Sequence, residues 1–378
     1  MLVALAVALG VAPAFADTKL SDSARILAGL PVATGSSLEP LTKSKAFAGH
    51  AEFFNRAWAR LDANQLSKVR AWSAENLKQT QPTLFYMFSG PDFLYANAFF
   101  PKASTYVLAG LEPAGDIPDV ATLPKSSLPE EFAGLRASLN SVLSYSFFIT
   151  KKMRRELHDK RLTGTLPVLF VFLARSGKTI EEVSLIGLDA DGVLHPLGAS
   201  EPQAKYESTG AKIVFSGSDG AKQTLYYFRT DLSNDGTQHG GFLKFCEGLG
   251  EGDSLIKSAS YLMHGDDFSR VRDFLLDRSM TIVQDDSGVP LKKFDLGQWQ
   301  LEPFGSYVRP IPLFSRNYQS DLHGFFAKRH PDRLRFSFGY QWKPGQSTLL
   351  VAMKKTAPAP EAVQSLVQPA KLEEAAKN

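Results

Sequence analysis

The chain has 378 residues, 44% hydrophobic and 21% charged, with a formal net charge of +3. That length and apolar content can build a sizeable core, and the near-balanced charge excludes a dedicated nucleic-acid binder, which carries a basic patch or stripe. Cys246 is the only cysteine, so an internal disulfide is excluded and stability must come from the core; set among Phe242, Leu243 and Phe245, it reads as a buried thiol rather than a nucleophile.

The first residues read as a secretory signal over 1–16. Residues 2–11 are apolar, and Ala14-Phe15-Ala16 fits the small-x-small cleavage rule. No Lys or Arg precedes the apolar run, and a buried N-terminal helix is the competing reading. The run is too short to span a membrane, and no other stretch approaches that length. The expected location is periplasmic or secreted. Residues 17–82 form a leader and a helical pair: Phe47, Phe54, Trp58 and Leu61 recur at helical steps, and Leu66, Val69 and Trp72 follow a candidate N-cap at Asp62.

The fold class expected beyond this point is α/β, with tandem-duplicated lobes. The run Thr83-Leu84-Phe85-Tyr86-Met87-Phe88 is echoed at Thr224-Leu225-Tyr226-Tyr227-Phe228-Arg229. Phe93-Leu94 is echoed at Phe242-Leu243, residues 106–110 at 261–265, and 146–150 at 279–283, in the same order. Each lobe is expected to hold parallel crossover strands separated by helices, then a terminal hairpin. The hairpins are read at 167–174 with 183–188 and at 334–342 with 347–352, turning at Gly177 and Gly345. The first lobe covers 83–190, a linker 191–223 carries one more hairpin near 212–215, and the second lobe covers 224–355. An insertion at 298–332 is rich in aromatic residues. The tail 356–378, rich in Ala, Pro, Glu and Lys, reads as disordered.

Ligands of open parallel sheets bind beyond the carboxyl ends of the strands. Those ends offer Ser89, Asp92, Glu112 and Lys151 in the first half, and Asp231, Asp235, His264, Asp266, Asp267, Asp285 and Asp286 in the second. The second half is richer in acids and alone carries a histidine, so it is the expected working half. His264 beside Asp266, with Asp231 or Asp285, is the candidate catalytic group: a histidine oriented by a carboxylate can act as a general base or help hold a metal. The plainer reading is that Asp266 or Asp267 caps a helix and Asp285-Asp286-Ser287-Gly288 makes a turn. No metal-ligand spacing is present, and the chain is expected to carry no metal or cofactor.

Other patterns lead nowhere. Asp231–Gly236 begins like a calcium loop, but the closing acidic position falls on Phe242. Ser176-Gly177-Lys178-Thr179 ends like a phosphate loop, but its opening glycine falls on Phe172. The unit opening at Thr83 resembles the start of a nucleotide or methyl-donor fold. Ser89-Gly90-Pro91-Asp92 lacks the glycine spacing for a phosphate, and Pro91 removes an N–H donor.

The insertion supplies the candidate ligand-binding residues Trp299, Tyr307, Arg309 and Arg316, which suit a glycan, a peptide or an anionic small ligand. The plainer reading is a flap packed on the core. The function expected is an exported, non-enzymatic binding or envelope-associated protein. The alternative is an exported hydrolase using His264 with nearby carboxylates, metal-assisted or not.

Overall fold

A computed structural model describes residues 18–145, 161–198, 205–341 and 343–355. The segment read as a secretory signal, the 146–150 anchor, Lys151, Trp342 of the second expected hairpin and the segment read as a tail fall outside these residues.

The leader and helical pair become α1 (Thr18–Leu27), α2 (Glu39–Thr42), α3 (Lys45–Leu61) and α4 (Ser67–Asn76). Ser44 caps α3 by accepting from Phe47 N at 3.2 Å. Asp62 does not start a separate helix. A π turn over Asp62–Leu66 joins α3 to α4 without a break, so the capping signal is overridden.

Then come β1 (Thr83–Tyr86), α5 (Phe93–Phe99), β2 (Thr105–Gly110), α6 (Leu128–Tyr145) and α7 (Leu166–Arg175). The middle of the chain gives β3 (Thr179–Leu188), β4 (Leu194–Pro196), β5 (Ser208–Ser216) and β6 (Lys222–Arg229). The last part gives α8 (Asn234–His239), α9 (Phe242–Gly248), β7 (Gly252–Ile256), α10 (Ser269–Arg278), β8 (Ser279–Gln284), β9 (Trp299–Gly305), α11 (Ser320–Arg329) and β10 (Thr348–Lys354). The strands form one ten-stranded mixed sheet, ordered β4-β3-β5-β6-β2-β1-β7-β8-β10-β9. Its centre, β6-β2-β1-β7-β8, is parallel, and both flanks are antiparallel.

β1 is buried along its whole length, as a central strand covered on both faces must be. Its alternate residues feed different cores. Leu84 and Tyr86 pack with the leader helices and α5, whereas Phe85 packs with α9 and α10. The chain leaves β1 through α5 toward β2, and leaves β7 through α10 toward β8, on the other side and the other face. β1 and β7 are neighbours, so a crevice opens where their connections diverge.

Several sequence expectations are corrected. Residues 167–174 lie in α7, not in a strand; every residue there is apolar, so periodicity cannot separate the two, and Pro167 sits comfortably in a first helical turn. Among the described residues, 334–341 form no hairpin arm: β10 pairs instead with β8 and β9. The echo at 261–265 is a 3-10 turn opened by Tyr261 at φ 58, and the strand lies earlier, at β7. β7 carries the buried polar residues Asp253 and Ser254, which hid it. The hairpin read near 212–215 in the linker segment is present as β5 against β6, and β5 also pairs with β3. The insertion begins with edge strand β9, whose burial alternates and whose Pro303 an edge tolerates.

Candidate functional site

The crevice is a cavity of about 260 Å³ at the carboxyl ends of β1, β2, β6 and β7. Its floor is built from sequence-local chemistry. Asp92 caps α5, accepting from Tyr95 N at 3.1 Å, and Tyr86 Oη donates to the same carboxylate at 2.8 Å. Lys257, the residue after β7, completes the group: its Nζ lies 2.7 Å from Asp92 Oδ2, with both side chains 2% exposed. The ammonium also sits 3.5 Å above the centre of the Tyr95 ring. Burial pulls the Lys257 pKa down, while Asp92 and Asp285 oppose that pull.

Two glycines let the strand ends close up. Gly90 N donates to Ala109 O at 3.0 Å, and a Cβ at Gly110 would lie 2.9 Å from Gly90 Cα. Ser89 Oγ adds to the seam by donating to Gly90 O at 2.8 Å. The Gly90 backbone is left-handed, and the space its missing Cβ would fill is open.

The backbone around the crevice is strained. Phe88, Ser258, Ser260 and Tyr261 all hold φ between 54° and 59°, a region that costs side-chain-bearing residues about 1–3 kcal/mol each. The first three line the cavity. Among the described residues the only other non-glycine with positive φ is His330. What holds this conformation is visible. Asp285, buried just past β8, accepts from Ser258 N at 3.0 Å. Tyr340 Oη donates to Ser258 O at 2.8 Å and accepts from Ser260 N at 3.2 Å. Tyr261 Oη donates to Asp286 at 2.6 Å. Burial raises both acids, and Asp286 reaches about 7 with Asp285 adding to the effect. The hydroxyl of Ser258, buried beside the cavity, has no hydrogen-bond partner among the described residues.

The walls are mixed. Phe88, Leu232, Leu262 and Phe268 supply apolar surface, with Glu112 and Asp231 at neighbouring strand ends. Leu111 stands on the rim, 71% exposed.

Of the residues expected at strand ends, Ser89, Asp92, Glu112 and Asp231 meet here. The first half, read as bland, therefore supplies most of the floor. The proposed catalytic group does not assemble. Asp285 lies beneath the cavity as a backbone clamp, and Asp266 is exposed. His264 packs edge-on against Tyr261 at 5.1 Å. Its ring is largely buried, which lowers its pKa to about 4 against the opposing pull of the backbone at Asp286 and Gly288, and no carboxylate hydrogen-bonds it among the described residues. Among the described residues, no three His, Cys, Asp or Glu side chains converge as a metal site would require.

The insertion also divides. Trp299 is buried on β9 against Phe294. Tyr307 is buried, its hydroxyl accepting from Gln319 N at 2.9 Å. Arg309 and Arg316 are exposed, and none of the four lines the crevice. The insertion reaches the site through Phe314, whose ring lies 5.0 Å from Tyr261 and 5.1 Å from Tyr340.

Lys257, Ser258, Ser260 and Tyr340 carry almost no signal in the sequence. A lysine directly after the apolar pair Leu255-Ile256 is the one local cue. Tyr340 arrives from 80 residues beyond Ser260, and no spacing rule could place it. Comparison with known protein families, curated proteins and solved structures finds no match for this chain. Among the described residues, no helix is long and apolar enough to cross a membrane.

Proposed function

We propose that this chain is a small-molecule-binding protein whose ligand occupies the crevice between the ends of β1 and β7. The observation that carries the reading is the concentration of left-handed, non-glycine backbone around one cavity. Strain of this kind persists only where the surrounding structure enforces it, and it gathers at ligand sites. Open sheets of this construction bind where strand connections diverge. The site is concave and largely apolar, with a few convergent polar groups. A binding role agrees with the exported, non-enzymatic protein expected from the sequence. The crevice replaces the aromatic insertion as its site. The hydrolase reading gains no support, because His264 lies outside the crevice and no carboxylate hydrogen-bonds its ring among the described residues.

The test is ligand screening by thermal shift and ligand-observed NMR on the full chain, repeated on Leu111→Trp and Leu262→Trp. Both side chains stand at the mouth and are at least partly exposed, so the substitutions narrow entry without disturbing the core. Compounds that bind the parent chain and lose at least tenfold in affinity to these variants support the reading. Hits that bind both variants unchanged, or a screen with no hit at all, overturn it.

A further inference from the structure

We infer that a second cavity, between the π turn, α5 and the end of α7, binds a small monocarboxylate with an apolar body and an N–H or O–H donor, of the N-acylamino-acid type. This goes beyond the crevice and does not rest on it, since the two share no lining residue.

The cavity holds about 590 Å³, inside the range of about 300–1,000 Å³ found for small-molecule sites. It lies on the face of the sheet that the leader helices cover. One wall is the π turn. There Ser67 N donates to Asp62 O, five residues back, and Ser67 Oγ donates to the same carbonyl at 2.7 Å. Short π segments inside helices recur at functional sites. Asp62, Ala63 and Leu66 of this one all line the cavity.

The charges of the lining leave one cation over. Asp62 and Arg70 pair at 2.7 Å and cancel. Arg175, the last residue of α7, has no such partner. Its Nε donates to Ala28 O at 2.7 Å and its Nη1 to Asn55 Oδ1 at 2.9 Å, with Nη2 3.5 Å from Gly29 O. These acceptors are all neutral, and no carboxylate pairs with Arg175 among the described residues. The carbonyls of 172–174 at the end of α7 are taken by the N–H groups of Ser176, Gly177 and Lys178. Burial pulls the Arg175 pKa down to about 10, which leaves it charged at neutral pH. Three of its five N–H donors are committed, so two remain for an anion. A single uncompensated cation suits a monoanion. A phosphate monoester, with a charge of about −1.5 to −2 at pH 7, would leave excess negative charge in a half-buried site.

Two further features narrow the class. Asn97 lines the cavity, and its Oδ1 is buried with no hydrogen-bond partner among the described residues. A buried acceptor left unpaired costs stability, and an N–H or O–H of a ligand would satisfy it. Leu66, Leu94 and Ala98 give the cavity a buried apolar surface, to which the half-buried Trp58 adds an indole. A carboxylate, a neighbouring N–H and an apolar side chain are the three groups that an N-acylamino acid carries.

The experiment is calorimetric titration of the full chain with N-acetylphenylalanine and N-acetylleucine, their C-terminal amides and phenyl phosphate. It is run on the parent protein and on Ala63→Trp, Arg175→Gln, Asn97→Leu and Leu111→Trp. At least one acid should bind, at least tenfold more tightly than its amide and than phenyl phosphate. Ala63 is exposed, so Ala63→Trp narrows the cavity without disturbing the core; it should weaken the acid at least tenfold, as should Arg175→Gln. Asn97→Leu should weaken it several-fold with no fall in the midpoint of thermal unfolding, because the acceptor it removes has no partner among the described residues. Leu111→Trp, at the crevice, should leave it unchanged. If Arg175→Gln does not fold, Ala63→Trp and Asn97→Leu decide. No binding by either acid, an amide or phenyl phosphate that binds as tightly, or an acid unaffected by Ala63→Trp overturns the inference. An acid lost to Leu111→Trp overturns it too, and places that acid in the crevice.

Discussion

Lys257 and Asp92 form an ion pair of 2.7 Å in which both side chains are 2% exposed. The pair ties the end of β7 to the cap of α5, and so joins the two connections that diverge around the crevice. Breaking a buried pair leaves an uncompensated charge in the interior, at a cost of about 3–5 kcal/mol.

Lys257→Met should therefore lower stability by about 3–5 kcal/mol, and Asp92→Asn in the same background should restore a large part of that loss. Urea unfolding of the two single variants and the double variant measures the coupling. Additive losses would mean that the ammonium and the carboxylate do not depend on each other.

Ser258 holds φ at 56°, and its hydroxyl has no partner among the described residues. Ser258→Gly should relieve backbone strain without losing a hydrogen bond and raise stability by about 1 kcal/mol. Its backbone bonds to Asp285 and Tyr340 remain available. The expected result is a higher midpoint of thermal unfolding; a lower one would show that the serine conformation is not strained.

Phe314→Ala removes the ring that packs on Tyr261 and Tyr340. Ligand affinity at the crevice should fall several-fold, because Tyr340 holds the Ser258–Ser260 backbone. Arg309→Ala and Arg316→Ala, both at exposed positions, should change affinity less than twofold and stability by less than about 0.5 kcal/mol. If the arginine variants lose affinity and Phe314→Ala does not, the insertion itself is the site.

Between pH 4 and 6.5 buried groups pull stability in opposite directions. Burial lowers His50 and His264 from 6.5 to about 4. Each contributes stability that is present above 6.5 and lost as pH falls toward 4. Burial raises Asp253 from 3.8 to about 6 and Asp286 to about 7. Each contributes stability that is present below 3.8 and lost as pH rises through those values. Asp253→Asn should remove one falling component, so that the profile tilts upward with pH relative to the parent chain. Urea midpoints at several pH values would show the tilt, and an unchanged profile would refute the assignment.

Local chemistry determined much of this protein. Apolar β-rich runs marked β1 and β6, and the residues that follow the strands put Ser89, Asp92, Glu112 and Asp231 at the ends that border the crevice. Those signals are short-range, and a single sequence carries them. The tertiary structure alone decided the rest. Pairing placed β2 between β1 and β6 and β1 beside β7, which decided where the connections diverge. The wholly apolar stretch 166–174 had no periodicity to reveal a helix, and β7 was masked by buried polar residues satisfied at long range, such as Asp253, which accepts from Gln81 N. The left-handed backbone of Ser258 and Ser260 is imposed by Asp285 and Tyr340 from distant parts of the chain. Because strain of that kind exists only once those partners have met, no residue pattern near Ser258 announces it.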